Sequence, residues 1–206
     1  MDAPHKKPSL FILTTCVIAA SLSGVALLLH WLGWVHLGFA TMVCLPLTVV
    51  VLGVCLTIAK PEPRRILIQR LLAGLFAGFL GLIAYDLIRW ALMVTGLIPA
   101  NPFRVIEVFG LLILQTDIDT LTSKTVGWGF HIWNGLTFAI MYILAFGRGR
   151  IIWAVLWSLL LEVATLATYP SMFEVALNWP FISISLIGHL AFGVVVGGVA
   201  RGAVKE

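Results

Sequence analysis

Six long apolar runs, separated by short segments rich in charge, proline or glycine, constrain the fold of this 206-residue chain more than any other feature. A run of about 20 apolar residues crosses the hydrocarbon core of a bilayer as a helix, because a helix pairs its own backbone groups. The predicted spans are residues 10–32, 37–59, 66–98, 124–146, 151–169 and 179–200. We therefore predict an all-α fold, a polytopic helical membrane bundle that forms one transmembrane domain over residues 1–206.

The composition excludes the other common classes. Hydrophobic residues make up 61% of the chain and charged residues 11%, whereas a soluble domain has about 45–50% and about 25%. A membrane β-barrel predicts alternating segments of about 10 residues, and the sequence has no such pattern. The formal net charge is +4, but the basic residues lie in short loops and tails, as membrane orientation requires. The lipid bilayer is therefore the predicted partner, and nucleic acid is not.

The longest connection, residues 99–123, lies between the third and fourth spans. It opens with Pro99-Ala100-Asn101-Pro102, which predicts a helix break. Residues 104–114 are apolar but too short to cross a bilayer, so we predict an interfacial or re-entrant helix there. Residues 116–123 are polar and acidic.

The basic residues predict the orientation of the bundle. Six spans place both chain ends on one side, and ten basic residues then share that side: Lys6, Lys7, Lys60, Arg64, Arg65, Arg70, Arg148, Arg150, Arg201 and Lys205. Two, Arg104 and Lys124, lie on the other side, and Arg89 lies inside a span. Because basic loops stay in the cytoplasm, we predict a multi-pass protein of the plasma or inner membrane with both termini cytoplasmic, N-in and C-in.

Polar residues inside the spans mark the candidate site, since charges in hydrocarbon are costly and usually face an interior or a cavity. The candidates are Asp86, Arg89, His131, Asn134, Glu162 and His189. At a rise of about 1.5 Å per residue, the five ionisable ones lie between the outer third of the bilayer and its midplane. They come from spans three to six, whereas spans one and two are almost wholly apolar. We therefore expect the site in the outer half of the last four helices.

The spacing of these residues leaves several interpretations open. Asp86 and Arg89 are three apart and can form an intrahelical ion pair. His131 and Asn134 share a helix face with Gly135 and Phe138. In each case, hydrogen bonding between helices without any ligand is the alternative.

Metal and proton chemistry are the other interpretations. Imidazole and carboxylate groups suit a transition metal, so His131, Glu162 and His189 are candidate metal ligands. A haem held by His131 and His189 is a further alternative, although the chain has no His-x-x-x-His or Glu-x-x-His spacing. A proton or ion path through Glu162 and the two histidines is equally allowed.

Two Gly-x-x-x-Gly pairs predict close helix packing. They are Gly74 with Gly78 and Gly193 with Gly197. Small residues four apart let helix backbones approach closely. Packing within the bundle is the first interpretation, and a homo-oligomer contact or contact with other membrane subunits is the alternative.

Three segments carry a resemblance. They are Gly74-Leu75-Phe76-Ala77-Gly78 with Asp86 and Arg89, His131-Ile132-Trp133-Asn134-Gly135, and Gly188-His189-Leu190-Ala191-Phe192-Gly193. Together they resemble a loose group of uncharacterised multi-pass membrane proteins of bacteria and archaea, over roughly residues 70–198. The resemblance implies that His131 and His189 mark equivalent places in that group, and it implies no activity.

Three functions follow from these observations. The first is an integral membrane protein whose polar pocket, open to the outside, handles a small ligand, a proton or a metal ion. The second is a metal- or haem-binding membrane enzyme or redox subunit. The third is a structural subunit of a larger membrane complex, in which the polar groups only join helices.

Overall fold

The computed structural model describes residues 8–173 and 178–204, which form α-helices joined by short connections and contain no strand. The helices are α1 Leu10–Ala20, α2 Leu22–Trp31, α3 Leu37–Ile58, α4 Pro61–Val94, α5 Arg104–Leu114, α6 Leu121–Phe146, α7 Ile151–Phe173 and α8 Trp179–Ala203. Helices α3, α4, α6, α7 and α8 are long and apolar enough to cross a membrane, and α1 with α2 makes a sixth, bent span. The chain is an integral membrane protein with a helical bundle fold.

The first span is broken at Ser21, where α1 and α2 meet at an angle of 50°. The sequence predicts one helix over residues 10–32, because no proline or charge interrupts the run. At the bend, the Ser21 hydroxyl donates to the Ile18 carbonyl at 2.7 Å, a local bond that competes with the helix. The Thr48 hydroxyl of α3 donates to the Ala19 carbonyl at 3.1 Å. A side chain from another helix therefore satisfies the backbone where α1 ends.

Other helix ends also differ from the predicted bounds. Helix α4 begins at Pro61 and ends at Val94, earlier at both ends than the predicted 66–98. Helix α6 begins at Leu121, because Thr120 and Ser123 form a capping box there. Helix α7 continues through Pro170, and Ser171 then donates its hydroxyl to the Thr168 carbonyl at 3.0 Å. Helix α8 extends to Ala203.

Helix α5 has the bounds of the predicted short helix and packs against the first half of α6. Two glycines allow this contact: a Cβ added to Gly110 would lie 1.8 Å from the Ser123 carbonyl oxygen, and one added to Gly127 would lie 2.0 Å from that of Ile106. Neither position can hold a side chain without moving a backbone. Helix α5 is therefore held directly on α6, at the end of the bundle that contains Lys124.

Helix α4 lies at the centre, between α6 and α8, and α7 packs on the outer side of α8. A Cβ added to Gly74 would lie 2.7 Å from the Ile140 Cα, and one added to Gly78 would lie 2.8 Å from the Leu136 Cα. Gly193 and Gly197 approach the α7 backbone in the same way. Both Gly-x-x-x-Gly pairs thus serve packing inside the bundle. Helices α6 and α7 have few contacts with each other, and the cavity described next lies between them.

Candidate intramembrane site

Asp86 on α4 is hydrogen-bonded to two side chains, His131 and Arg89. Its Oδ2 accepts a hydrogen bond from His131 Nε2 at 3.0 Å, and its Oδ1 accepts one from an Arg89 guanidinium nitrogen at 3.3 Å. The first contact links α4 to α6, and the second is the ion pair within α4 that the spacing allows. Because a carboxylate only accepts, the Nε2 of His131 carries the hydrogen in this pair.

Arg89 also contacts the connection that follows α4. Its second terminal nitrogen donates to the Pro102 carbonyl. Its guanidinium carbon lies 4.3 Å from the centre of the Tyr85 ring and 5.3 Å from that of Phe103, distances typical of cation–π contacts. Arg89 is 5% exposed, so it helps to fix the 99–103 segment against α4.

Glu162 on α7 and His189 on α8 form a second carboxylate–histidine pair. Glu162 Oε2 lies 2.8 Å from His189 Nδ1 and accepts a hydrogen bond from the Ser185 hydroxyl at 2.7 Å. The Ser158 hydroxyl donates to the His189 carbonyl at 2.6 Å. These bonds join α7 to α8 at the middle of both helices. Glu162 is 2% exposed, and its other oxygen, Oε1, has no hydrogen-bond partner.

The contacts of His189 define its tautomer. Its Nδ1 lies 3.0 Å from the Ser185 carbonyl oxygen as well as beside Glu162. A carbonyl oxygen only accepts, so Nδ1 must carry the hydrogen. In the neutral ring Nε2 is then an acceptor, and it has no partner among the described residues. By the same reasoning, the neutral His131 ring presents its Nδ1 as an acceptor.

Tyr85 contacts the histidine of each pair. Its ring centre is 5.9 Å from that of His131 and 5.0 Å from that of His189, with the second contact edge to face. The Arg89 guanidinium covers the same ring. Tyr85 is therefore a shared neighbour of the two histidines.

A cavity of about 300 Å³ lies between α6 and α7 and is covered by α2. Most of its lining is apolar, and its polar wall includes both histidines of the carboxylate–histidine pairs, together with Tyr85, Asn134 and Thr165. Apolar walls with a few convergent polar groups are typical of small-molecule sites. The two pairs thus meet at one wall of one cavity.

Asn134 also lines the cavity and is 8% exposed. Its Oδ1 is buried and has no hydrogen-bond partner among the described residues. A buried acceptor without a partner costs about 1–3 kcal/mol. Such groups are rare in folded proteins and call for an explanation.

Aromatic side chains pack at the Lys124 end of the cavity. Phe109 of α5 and Tyr169 of α7 line it, with ring centres 5.9 Å apart, and Phe130 packs on Phe109 at 4.9 Å. A small void of about 30 Å³, beside Arg89, adjoins these rings. The opening of the pocket to the outside, which the sequence predicts, stays a prediction.

Helix α2 covers the cavity unevenly. On the α6 side, the Ser23 and Thr137 hydroxyls are hydrogen-bonded at 2.7 Å and both are buried. On the α7 side, the Trp31 indole donates to the Ser171 hydroxyl at 3.0 Å, close to the ends of both helices. Deeper along this side, Leu28 and Ala164 line the cavity and are exposed on the bundle surface.

Five of the predicted site residues line the cavity or pair with a group that does. His131, Asn134 and His189 line the cavity, and Asp86 and Glu162 hold the two histidines. Arg89 lines only the small void. The wall also includes α2 and α5, which the sequence-based prediction leaves out. The predicted site residues thus come together, but as two separate pairs.

The predicted metal ligands are divided between these pairs. His131 contacts Asp86, whereas His189 and Glu162 contact each other, and Tyr85 lies against both rings. Within the part of the chain that the structure describes, no three His, Cys, Asp or Glu side chains are grouped as metal ligands. The arrangement of these side chains suits hydrogen bonding to a ligand better than coordination of one metal ion.

The sequence did not indicate two features of the candidate site. One is the contact of Tyr85 with both histidines, and the other is the hydrogen bond from Ser185 to Glu162. Tyr85 is four residues before Arg89, so both lie on one face of α4, and that spacing could have shown it.

Comparisons with protein-family models, with curated proteins and with solved structures found no match to this chain. The resemblance to a group of multi-pass membrane proteins therefore stays a prediction.

Proposed function

We propose that this integral membrane protein binds a small ligand within the bilayer, in the cavity between α6 and α7. One observation carries the proposal: the histidines of two separate carboxylate–histidine pairs line the same cavity of about 300 Å³. Ligand pockets begin at about this volume. The pairs come from four different helices, so the packing of the whole bundle sets their geometry.

The carboxylates orient the rings and fix which nitrogen is free. Asp86 accepts a hydrogen bond from His131 Nε2. Glu162 and the Ser185 carbonyl accept the hydrogen bond from His189 Nδ1. Each neutral ring then offers one acceptor nitrogen to a ligand hydroxyl or N–H group. A carboxylate also stabilises its histidine when that ring gains a proton, so the same wall can exchange protons with a bound ligand.

The orientation with both termini cytoplasmic is part of the proposal. Lys60, Arg64 and Arg148 lie at one end of the bundle. At the other end Lys124 lies 3.2 Å from Asp119, and Arg104 lies 3.1 Å from Glu107. The Lys124 end thus has few basic residues, which favours the opposite end, richer in Lys and Arg, as the cytoplasmic one. The cavity then lies in the outer half of a plasma or inner membrane.

The two other functions fit the geometry less well. A metal- or haem-binding enzyme needs His131 and His189 on one centre, yet Tyr85 lies against both rings. A structural subunit explains why each pair joins two helices. It does not explain the cavity.

A thermal-shift screen with one blocking variant tests the proposal. A ligand that binds only the folded protein raises its melting temperature, so purified protein is screened in detergent against a panel of metabolites and lipids. Ala164→Phe fills the cavity from its rim, and Val163→Phe is the matched control, since Val163 is 63% exposed and does not line the cavity.

We expect some compounds to stabilise the wild type and Val163→Phe but not Ala164→Phe. The proposal is wrong if no compound stabilises the wild type, or if every stabilising compound acts equally on Ala164→Phe.

A further inference from the structure

We infer that the ligand is a membrane-dissolved alcohol or phenol with one slender apolar body, and that it reaches the cavity sideways from the bilayer, between α2 and α7. This inference rests on the proposed function and names its ligand class. It is drawn from where the cavity is closed, where it is open, and which hydrogen-bonding groups its wall lacks.

Access from the aqueous phase at the Lys124 end is blocked. An apolar cluster that includes Phe109, Phe130 and Phe181 packs there beneath α5. Helix α5 itself cannot separate from α6 easily, because the backbones meet at Gly110 and Gly127. A water-soluble ligand would have to cross this layer.

The lateral side between α2 and α7 offers less resistance. The Trp31–Ser171 hydrogen bond joins these helices near their ends, and the exposed residues Leu28 and Ala164 lie deeper at the rim of the cavity. Both rim residues are apolar and lie at membrane depth. A ligand that passes between them leaves hydrocarbon and enters an apolar cavity, so its body stays out of water throughout.

The polar wall specifies the other end of the ligand. The neutral His189 ring presents Nε2, and the neutral His131 ring presents Nδ1. Both are acceptors. They are complementary to a group that donates hydrogen, such as a hydroxyl, and not to a carboxylate or an ether, which only accept.

The volume limits the apolar body. About 300 Å³ is at the lower limit of the range for ligand pockets. A lipid with two acyl chains does not fit, whereas a single short chain or one ring system does. The ligand class is therefore a small, hydroxyl-bearing, bilayer-soluble molecule.

A pair of photoactivatable probes tests this inference on the full chain in liposomes. One probe is a decanol that carries a diazirine on its chain, and the other is its methyl ether, which keeps the chain and loses the donor. After irradiation, the labelled residues are mapped by peptide mass spectrometry. We expect the alcohol to label α2, α6 and α7 residues of the cavity, and the ether to label them about fivefold less, the factor of one net hydrogen bond.

Binding in the cavity and entry from the lateral side are tested separately, the first with two variants and the second with an introduced cysteine. Ala164→Phe should abolish cavity labelling by the alcohol, and Val163→Phe should not. A cysteine introduced at Thr165, inside the cavity, should react with a lipophilic maleimide but not with a charged, membrane-impermeant thiosulfonate added on both sides.

The possible failures are distinct. Equal labelling by alcohol and ether would overturn the hydroxyl requirement, and reaction of Thr165→Cys with the charged reagent would overturn lateral access. After either result the proposed function still stands if the compounds that stabilise the wild type lose their effect in Ala164→Phe.

Discussion

The rings of Tyr85 and His189 meet edge to face, with centres 5.0 Å apart and planes at 83°. The same tyrosine also contacts His131 and the Arg89 guanidinium. Tyr85 therefore contacts both carboxylate–histidine pairs at one cavity wall. Each pair keeps its own carboxylate.

Replacement of Glu162 by leucine should destabilise the protein by about 1–3 kcal/mol, because the Ser185 hydroxyl and His189 Nδ1 lose a buried acceptor. Glu162→Gln should lose less, since its amide oxygen can still accept from both. The measurement is the melting temperature in detergent. Glu107→Leu is the control, because the Glu107 ion pairs are partly exposed and such pairs contribute about 0–1 kcal/mol. Equal melting temperatures for Glu162→Leu and wild type would contradict this prediction.

Asn134→Leu should raise the stability of the ligand-free protein. Leucine has nearly the shape of asparagine and removes a buried Oδ1 that has no partner among the described residues, so up to about 1–3 kcal/mol is recovered. The measurement is the melting temperature in detergent. A melting temperature below that of the wild type would contradict this prediction.

Two glycines of α6 provide a matched test of how α5 is held. Gly127→Ala places a Cβ 2.0 Å from the Ile106 carbonyl oxygen, whereas a Cβ on Gly129 meets nothing within 4 Å. Gly127→Ala should therefore separate α5 from α6 and lower the melting temperature strongly. Gly129→Ala should be neutral or stabilise by up to about 1 kcal/mol, the helix preference for alanine. Similar melting temperatures for the two variants would argue against the close contact of α5 with α6.

Trp31→Phe should make the lateral opening more accessible. It removes the indole donor that joins α2 to Ser171 of α7 and keeps an aromatic ring. We expect the lipophilic maleimide to react with Thr165→Cys severalfold faster in this background. Trp34→Phe is the control, since Trp34 is 71% exposed and lies outside the cavity lining. An unchanged rate in Trp31→Phe would show that this bond does not restrict access.

The membrane bundle was predictable from the sequence, whereas the contacts between helices at the candidate site were not. Hydropathy identifies apolar helices, and the Asp86–Arg89 ion pair follows from spacing within one helix. Contacts between helices, such as Asp86 with His131, depend on how each helix is rotated and where it crosses its neighbour. The bend at Ser21 has no signal in a uniformly apolar run, because the Thr48 hydroxyl that satisfies the Ala19 carbonyl is remote in sequence.

The pairing of Glu162 has a consequence for how the chain is inserted during synthesis. Its hydrogen-bond partners among the described residues, Ser185 and His189, are both on α8, which is made after α7. When α7 emerges from the ribosome, its buried acid therefore has no partner, and a polar group alone in hydrocarbon is unfavourable. We expect α7 and α8 to leave the insertion machinery together, as a hairpin whose two halves join through Gly193 and Gly197.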